Sequence, residues 1–248
     1  MASQVLTNVK TYLGEYDITG FSNMVNLDYA AAALKDTRMG HTTERNKGGV
    51  KSVAFRIGGF ADPATAGMEA IANGKIGTAN LPLTTSAPGG AVGDVAHFFM
   101  ALKNQMSTFG QHGALMPFAG TAVGGGESID KLVRGKVFVA SSTAKTSTST
   151  SGIIQLGAVS ATQRVYAALH VIDTVAGTLP TLDVTVKSAA LVGFGSPTTR
   201  LTFTQATGKT SQMLSAAGAI TDAFWRVDFT IGGSGGPSFP FIVVVGIV

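Results

Sequence analysis

The chain has 248 residues, enough for one large β domain or two ordinary ones, each able to bury its own core. Only 13% of its residues are charged, about half the usual share, while 32 are glycine and the formal net charge is +4. So neutral a surface favours burial against neighbouring subunits, and the absence of cysteine excludes disulfides, thiolate nucleophiles and Cys-ligated metals.

Met1-Ala2-Ser3-Gln4 lacks the basic and then apolar pattern of a secretory signal. An apolar-rich segment, Val5 to Leu13, precedes a turn at Gly14-Glu15-Tyr16-Asp17 that Gly20 closes. Val25, Leu27 and Tyr29 then alternate with Asn26 and Asp28, the period-two signature of a strand with one buried face. Val53, Phe55 and Ile57 alternate again before Gly58-Gly59. Between these strands lies a polar stretch, residues 30–49, that reads as a loop of roughly twenty residues, too long for a tight hairpin. Lys35, Arg38, Arg45, Lys47 and Lys51 outnumber Asp36 and Glu44 there, without aromatic interleaving. That pattern fits a solvated loop or one meeting acidic groups on a neighbouring subunit, and not a nucleic-acid arm. Arg38, His41, Glu44, Arg45, Lys47 and Lys51 are the candidate inter-subunit contact residues.

One helix is expected after Asp62 as cap and Pro63 as first residue, with Met68 and Ile71 on one face and Asn73-Gly74 as the stop. Further strands are predicted at Val95 to Leu102, Leu115 to Val123 and Leu132 to Ala140, although Val95 to Lys103 also fits a helix. Ser141 to Gly152, SSTAKTSTSTSG, has no large apolar residue and reads as an exposed linker. The expected organisation is an assembly domain at 1–140, a Ser/Thr-rich linker at 141–152 and a β-sandwich at 153–248. In that last part Val165 to Val171, Leu182 to Val186, Leu201 with Phe203, and Trp225 to Ile231 alternate. Turns are expected at Ala176-Gly177, Gly193 to Pro197, Gly208 and Gly232 to Pro237. The apolar run Phe239 to Val248 is about half the length a membrane-spanning helix needs and reads as a buried terminal strand. The pattern predicts a mainly β fold: an N-terminal β-sandwich or barrel with one helix, and a C-terminal antiparallel sandwich, jelly-roll or Ig-like.

Motifs for chemistry fail on context. Gly232-Gly233-Ser234-Gly235-Gly236 satisfies G-x-S-x-G, but Pro237 and a strand follow where a nucleophile elbow needs a helix. Gly208-Lys209-Thr210 resembles the end of a P-loop, yet Phe203 stands where the earlier glycine belongs. His41, His97, His112 and His170 are widely separated, and His170 falls on the polar face of an alternating strand, the position of a surface histidine. The acidic residues are isolated, Trp225 reads as core, and no catalytic, cofactor or metal site is assigned.

The run Tyr16-Asp17-Ile18-Thr19-Gly20 through Asn26-Leu27-Asp28-Tyr29, then Ala33 to Arg45 with Asp36-Thr37-Arg38-Met39-Gly40-His41-Thr42, resembles the start of tail-tube proteins of long-tailed, siphovirus-like phages. Asn46-Lys47-Gly48-Gly49-Val50-Lys51 is similar to that family's entry into its second long strand, and looser echoes lie at Asp94 to Ala101 and Leu132 to Gly135. The resemblance implies a structural virion protein, not an enzyme, without cofactor and without membrane contact. Six copies would close a ring, rings would stack with other tail proteins into a tube that conducts double-stranded DNA, and residues 30–49 would touch a neighbour. The protein would be made in the host bacterial cytoplasm and reside in the virion tail, with residues 153–248 decorating the exterior. The alternatives are a capsid-decorating or head-tail connector protein and a receptor- or glycan-binding module.

Overall fold

The structure, a computed structural model, describes residues 8–62, 67–125, 131–140, 143–173 and 175–248. The N-terminal part comprises β1 (Lys10–Leu13), β2 (Tyr16–Asp17), a 3-10 turn (Thr19–Phe21), β3 (Ser22–Lys35), β4 (Asn46–Phe60), α1 (Met68–Gly74), β5 (Leu81–Ser86), β6 (Val95–Thr108), β7 (Pro117–Gly124) and β8 (Val133–Val139). Then follow β9 (Ser149–Thr150), β10 (Ile154–Gln155), β11 (Arg164–Val171), β12 (Ala176–Ala189), β13 (Thr198–Thr202), β14 (Thr210–Ala217), β15 (Phe224–Ser238) and β16 (Phe241–Ile247). The fold is mainly β, as expected, with every strand pair antiparallel and α1 the one α-helix among the described residues. Val95 to Lys103, which also fitted a helix, is strand. The helix starts later than its predicted cap; Pro63 lies outside the described residues.

An 11-stranded sheet runs β14-β11-β16-β8-β6-β5-β1-β2, and β6 carries a branch through β7 and β4 to β3. The branch exists because β6 is long and changes partners. Val95 to Ala101 pair with β8 and β5, and Ala101 to Thr108 pair with β7. A bulge between Lys103 and Gln105 bends the strand at the change, as an extra residue on one side of a ladder does. The buried Lys103 stabilises that bulge, its Nζ donating to the Gln105 and Thr121 carbonyls, and burial lowers its pKa to about 8. The two layers leaving β6 close over Leu13, Val53, Phe55, Ile57, Leu83, Phe99 and Phe118, a self-contained sandwich core.

A second sheet of 5 strands, β10-β15-β12-β13 with β9 also on β15, packs over β11 and β16 and encloses Trp225, Val227, Phe229, Leu169, Val243 and Val245. Trp225 is buried as predicted, and its indole N–H donates to the Gly157 carbonyl over 2.9 Å. The opposite faces of β11 and β16 carry a third core with Tyr166, Ala168, Ile242 and Val244, against Tyr12, Phe98 and Val137. The large sheet curls so that β14 and β11 come against β5.

His170 lies inside that curl, fully buried and not on the surface as its place in the alternation suggested. Its Nδ1 donates to the Gly14 carbonyl over 2.7 Å, which leaves Nε2 to accept from the Thr84 hydroxyl, also over 2.7 Å. One neutral imidazole thus ties β11 to β5 and to the β1–β2 turn. Burial depresses its pKa to about 4, against smaller opposing contributions from the Gly14 hydrogen bond and Glu15.

The expected units share this sheet. β16, the last strand, pairs with β8 on one side and β11 on the other. Residues 143–152, expected as an exposed linker, are largely exposed but strapped down. Lys145 exchanges backbone bonds with Phe239, β9 pairs with Asp228 and Phe229, and the Ser151 hydroxyl accepts from the Val227 N–H. Gly232 to Pro237, expected as a turn, lies within β15. The positive φ values of Gly233, Gly235 and Gly236, together with shifts of register against β12, make it a bulged strand. Ala176-Gly177 likewise belongs to β12.

Two predictions follow from the packing. Because the His170 pKa is depressed on folding, the unfolded chain takes up a proton between pH 6.5 and about 4 that the folded chain does not. Stability from this group is complete above pH 6.5 and falls by about 3 kcal/mol toward pH 4. Thermal unfolding of His170→Gln should lose less stability than the parent over that window. At the β8–β16 pair, a Cβ on Gly135 would lie 2.2 Å from the Val245 carbonyl oxygen, so Gly135→Val should cost at least about 2 kcal/mol in urea unfolding. Gly208→Ala, where a Cβ meets nothing within 4 Å, should change little.

Candidate assembly surface

β3 and β4 are longer than the alternation showed. They stay paired from Ser22↔Gly59 to Lys35↔Asn46, with irregularities between Ser22 and Met24 and between Ala31 and Ala33. The expected twenty-residue loop is therefore mostly ribbon, and only residues 36–45 form its tip. β4 pairs with β7 only from Ala54 onward, so among the described residues the ribbon beyond Val53 has no third strand. A two-stranded ribbon gains little stability alone in water, and this one displays Leu34, Met39 and Val50, which is 84% exposed.

The predicted contact residues all lie on this ribbon, but their charges differ in availability. Asp36 holds Lys47 at 2.9 Å and Arg38 at 3.6 Å, and Glu44 holds Lys35 at 3.5 Å. His41 closes the tip, its Nδ1 accepting from the Arg38 N–H and its own N–H donating to the Arg38 carbonyl over 3.1 Å. The backbone of Arg45 bonds to Asp36 and to the Thr37 hydroxyl. Among the described residues the Arg45 guanidinium has no carboxylate partner, and the Lys51 ammonium stands 6.0 Å above the Tyr29 ring instead. These two are the ribbon's cations without a carboxylate partner among the described residues.

Sequence reasoning missed the larger feature. β3, β4, β7 and the second half of β6 form a four-stranded sheet with two free edges. Among the described residues β3 pairs with β4 alone, and β6 has no second strand after Ala101, where β5 ends. The loop of residues 77–78 bonds to Lys103, which leaves Asn104 to Thr108 open. The apolar layer is also open beside β3: a cleft of about 420 Å³ is lined by Val9, Val25, Leu27, Tyr29, His97 and Leu132. Burial, reinforced by Arg134, lowers the His97 pKa and favours its neutral form. At the far end from the ribbon tip, Phe60, Phe109 and Leu115 are exposed. Only the strand lengths hinted at these edges, because pairing partners are not written in alternation.

Among the described residues no three His, Cys, Asp or Glu side chains converge on a metal position, and no helix is long and apolar enough to cross a membrane.

No family model and no curated protein matches the chain. Among solved structures it aligns with a chain from the virion of a native gene transfer agent particle, at 12% identity and TM-score 0.40, over 52% of this chain and 97% of the other. A chain from the sheath/tube terminator of the extracellular contractile injection system PVC aligns at 12% identity and TM-score 0.42, over 54% and 97%. The SPP1 tail tube aligns at 8% identity and TM-score 0.40, over 51% and 76%.

Arg45→Glu with Lys51→Glu should leave circular dichroism and unfolding unchanged to within about 1 kcal/mol, since both groups are exposed and neither has a carboxylate partner among the described residues. Self-association in sedimentation velocity should fall. Lys47→Glu, which also breaks the Asp36 pair, should disturb the ribbon tip itself.

Proposed function

We propose that the chain is a structural subunit that closes into rings by pairing the free edge of β3 in one copy with the free edge of β6 in the next. The observation that carries this reading is a four-stranded sheet whose two edges are both unpaired among the described residues. Two different edges on one subunit make a head-to-tail contact, which closes into a ring when the rotation permits and otherwise runs on as a filament. Sequence resemblance to tail-tube proteins supports six copies per ring and stacking of rings into a phage-like tail tube that conducts double-stranded DNA. Six such sheets make a barrel of 24 strands, about 37 Å across at the backbone before strand tilt widens it. The ribbon, projecting along the strand direction with its exposed apolar residues, is the element that reaches a neighbouring copy or the next ring. The second sandwich, lying beyond β8, then decorates the exterior. The protein belongs, on this reading, to the virion tail, is made in the host bacterial cytoplasm, works beside other tail proteins, and is not an enzyme.

The chain has no native cysteine, so the edge contact can be trapped directly. Within one copy the edges lie three strand spacings apart, about 14 Å, too far for a disulfide. A panel pairing Cys at Met24, Asn26 or Asp28 with Cys at Gln105 or Ser107 should therefore cross-link only between copies, in a ladder ending at six. Negative-stain microscopy should show rings and tubes of uniform diameter. A monomer at high concentration that forms no cross-links would overturn the reading, and a ladder ending at three would favour a capsid-decorating protein.

A further inference from the structure

The four-stranded sheet has a second face, turned away from its core. Val53, Phe55 and Ile57 of β4 and Phe118 and Ala122 of β7 are buried, so the residues alternating with them form the open face. On that face β3 places Met24, Asn26 and Asp28, and β4 places Ala54, Arg56 and Gly58. β7 adds Ala119, Thr121 and Val123, opposite Gln105 and Ser107 of β6. Apart from Met24 and, at its end, Phe60, the face carries small and polar side chains, and its charged groups are Asp28 and Arg56. Asn26 stands opposite Arg56 and Ala54 opposite Asp28, which makes the two charged residues diagonal neighbours across β3 and β4. The Asp28 carboxylate lies 3.9 Å from the Arg56 guanidinium, and both side chains are about half exposed. In a chain of net charge +4 this face sums to zero, and the excess of cations over carboxylates lies out on the ribbon.

We infer that this open face is a charge-compensated lining for a passing polyanion, in which Asp28 keeps Arg56 from holding a phosphate backbone. The inference rests on the tube reading and takes as luminal the face that its own core does not cover. An unmasked arginine there would be repeated in every copy of every ring. Each phosphate so neutralised releases counterions and adds about 0.9 to the slope of log affinity against log salt, so a stack of rings would grip a duplex that has to slide. The strength of one half-exposed ion pair is small and is not what matters. What matters is that a negative charge accompanies each positive one at the same depth of the face, so that the field a moving phosphate chain meets averages to nothing.

The test uses assembled tubes of the full chain, inspected by negative-stain microscopy before any DNA is added, and a short labelled duplex as probe. Nuclease digestion removes duplex bound outside, and the protected fraction is read across a salt series. Asp28→Asn tubes should protect several-fold more duplex than parent tubes at low salt, with a steep loss as salt rises. Asp28→Asn combined with Arg56→Gln should return to the parent value, and Asp28→Ser serves where the amide disturbs assembly. Equal protection by parent and Asp28 variants in well-formed tubes overturns the inference while leaving the tube reading standing. Absence of tubes in the parent overturns the tube reading first and the inference with it.

Discussion

The pairing of β16 between β8 and β11 is the constraint on which the rest of the molecule depends. The final strand of the chain occupies the middle of the large sheet, and both its faces are buried: Val243 and Val245 in one core, Ile242 and Val244 in another. A strand so placed reads as a continuous apolar run, and FIVVVGI is one. Gly246 faces Gly135 across the ladder because neither position has room for a side chain: a Cβ on either would meet the opposite backbone within 3 Å. His170 adds a polar tie in the same region. Its two ring nitrogens are both used, so a group that is costly to bury is buried with its bonding satisfied.

With that frame fixed, β6 can serve two layers. Its first half is held in the large sheet by β5 and β8, and its second half leaves over the Lys103–Gln105 bulge to found the four-stranded sheet. That sheet is anchored at one end by a shared strand and a common core, and its edges are left bare. A bare edge of 14 residues is a hazard for a monomer, which proteins usually blunt with short strands, prolines or inward charges. β3 contains no proline and leaves Met24 and Tyr29 about half exposed, features that suit the edge pairing proposed above.

Much of this was legible in the sequence, and the failures share a physical cause. Alternation located β3, β4, β11 and β15 through their period-two apolar positions, and an unbroken apolar run located β16. β5 and β14 went unseen: LPLTTS and TSQMLSAA lack a regular alternation, since β5 is buried on both faces and β14 is half-buried along its length. His170 was read as a surface group for the same reason, as alternation assumes that one face of a strand meets water and β11 has none that does. Gly232 to Pro237 carries every mark of a turn, yet glycine there serves close approach. A Cβ on Gly233 would lie 2.9 Å from the Leu179 carbonyl oxygen, within a bulged ladder. The ribbon's charged tip was found from composition, whereas the free edges, which belong to pairing and not to any residue, were not.

The low charge content takes its place in this picture. A chain with 13% charged residues must cover its apolar surface by other means, and here three cores and a sheet buried on both faces consume most of it. What remains open lies partly on the four-stranded sheet, at the ribbon, the edge of β3, the cleft beside it and the end bearing Phe109 and Leu115, and partly on the second sandwich, at Leu179, Leu191 and Val192. Burial of the first set by copies of the same chain would cover the apolar side chains of the four-stranded sheet and leave those of the second sandwich open. The curvature that decides whether such copies close a ring is set by twist, and bulges increase twist. The two irregularities of β3 and the one of β6 lie in the strands that carry the free edges, so on the proposed pairing the residues that shape each edge would also set the angle at which the next copy is met.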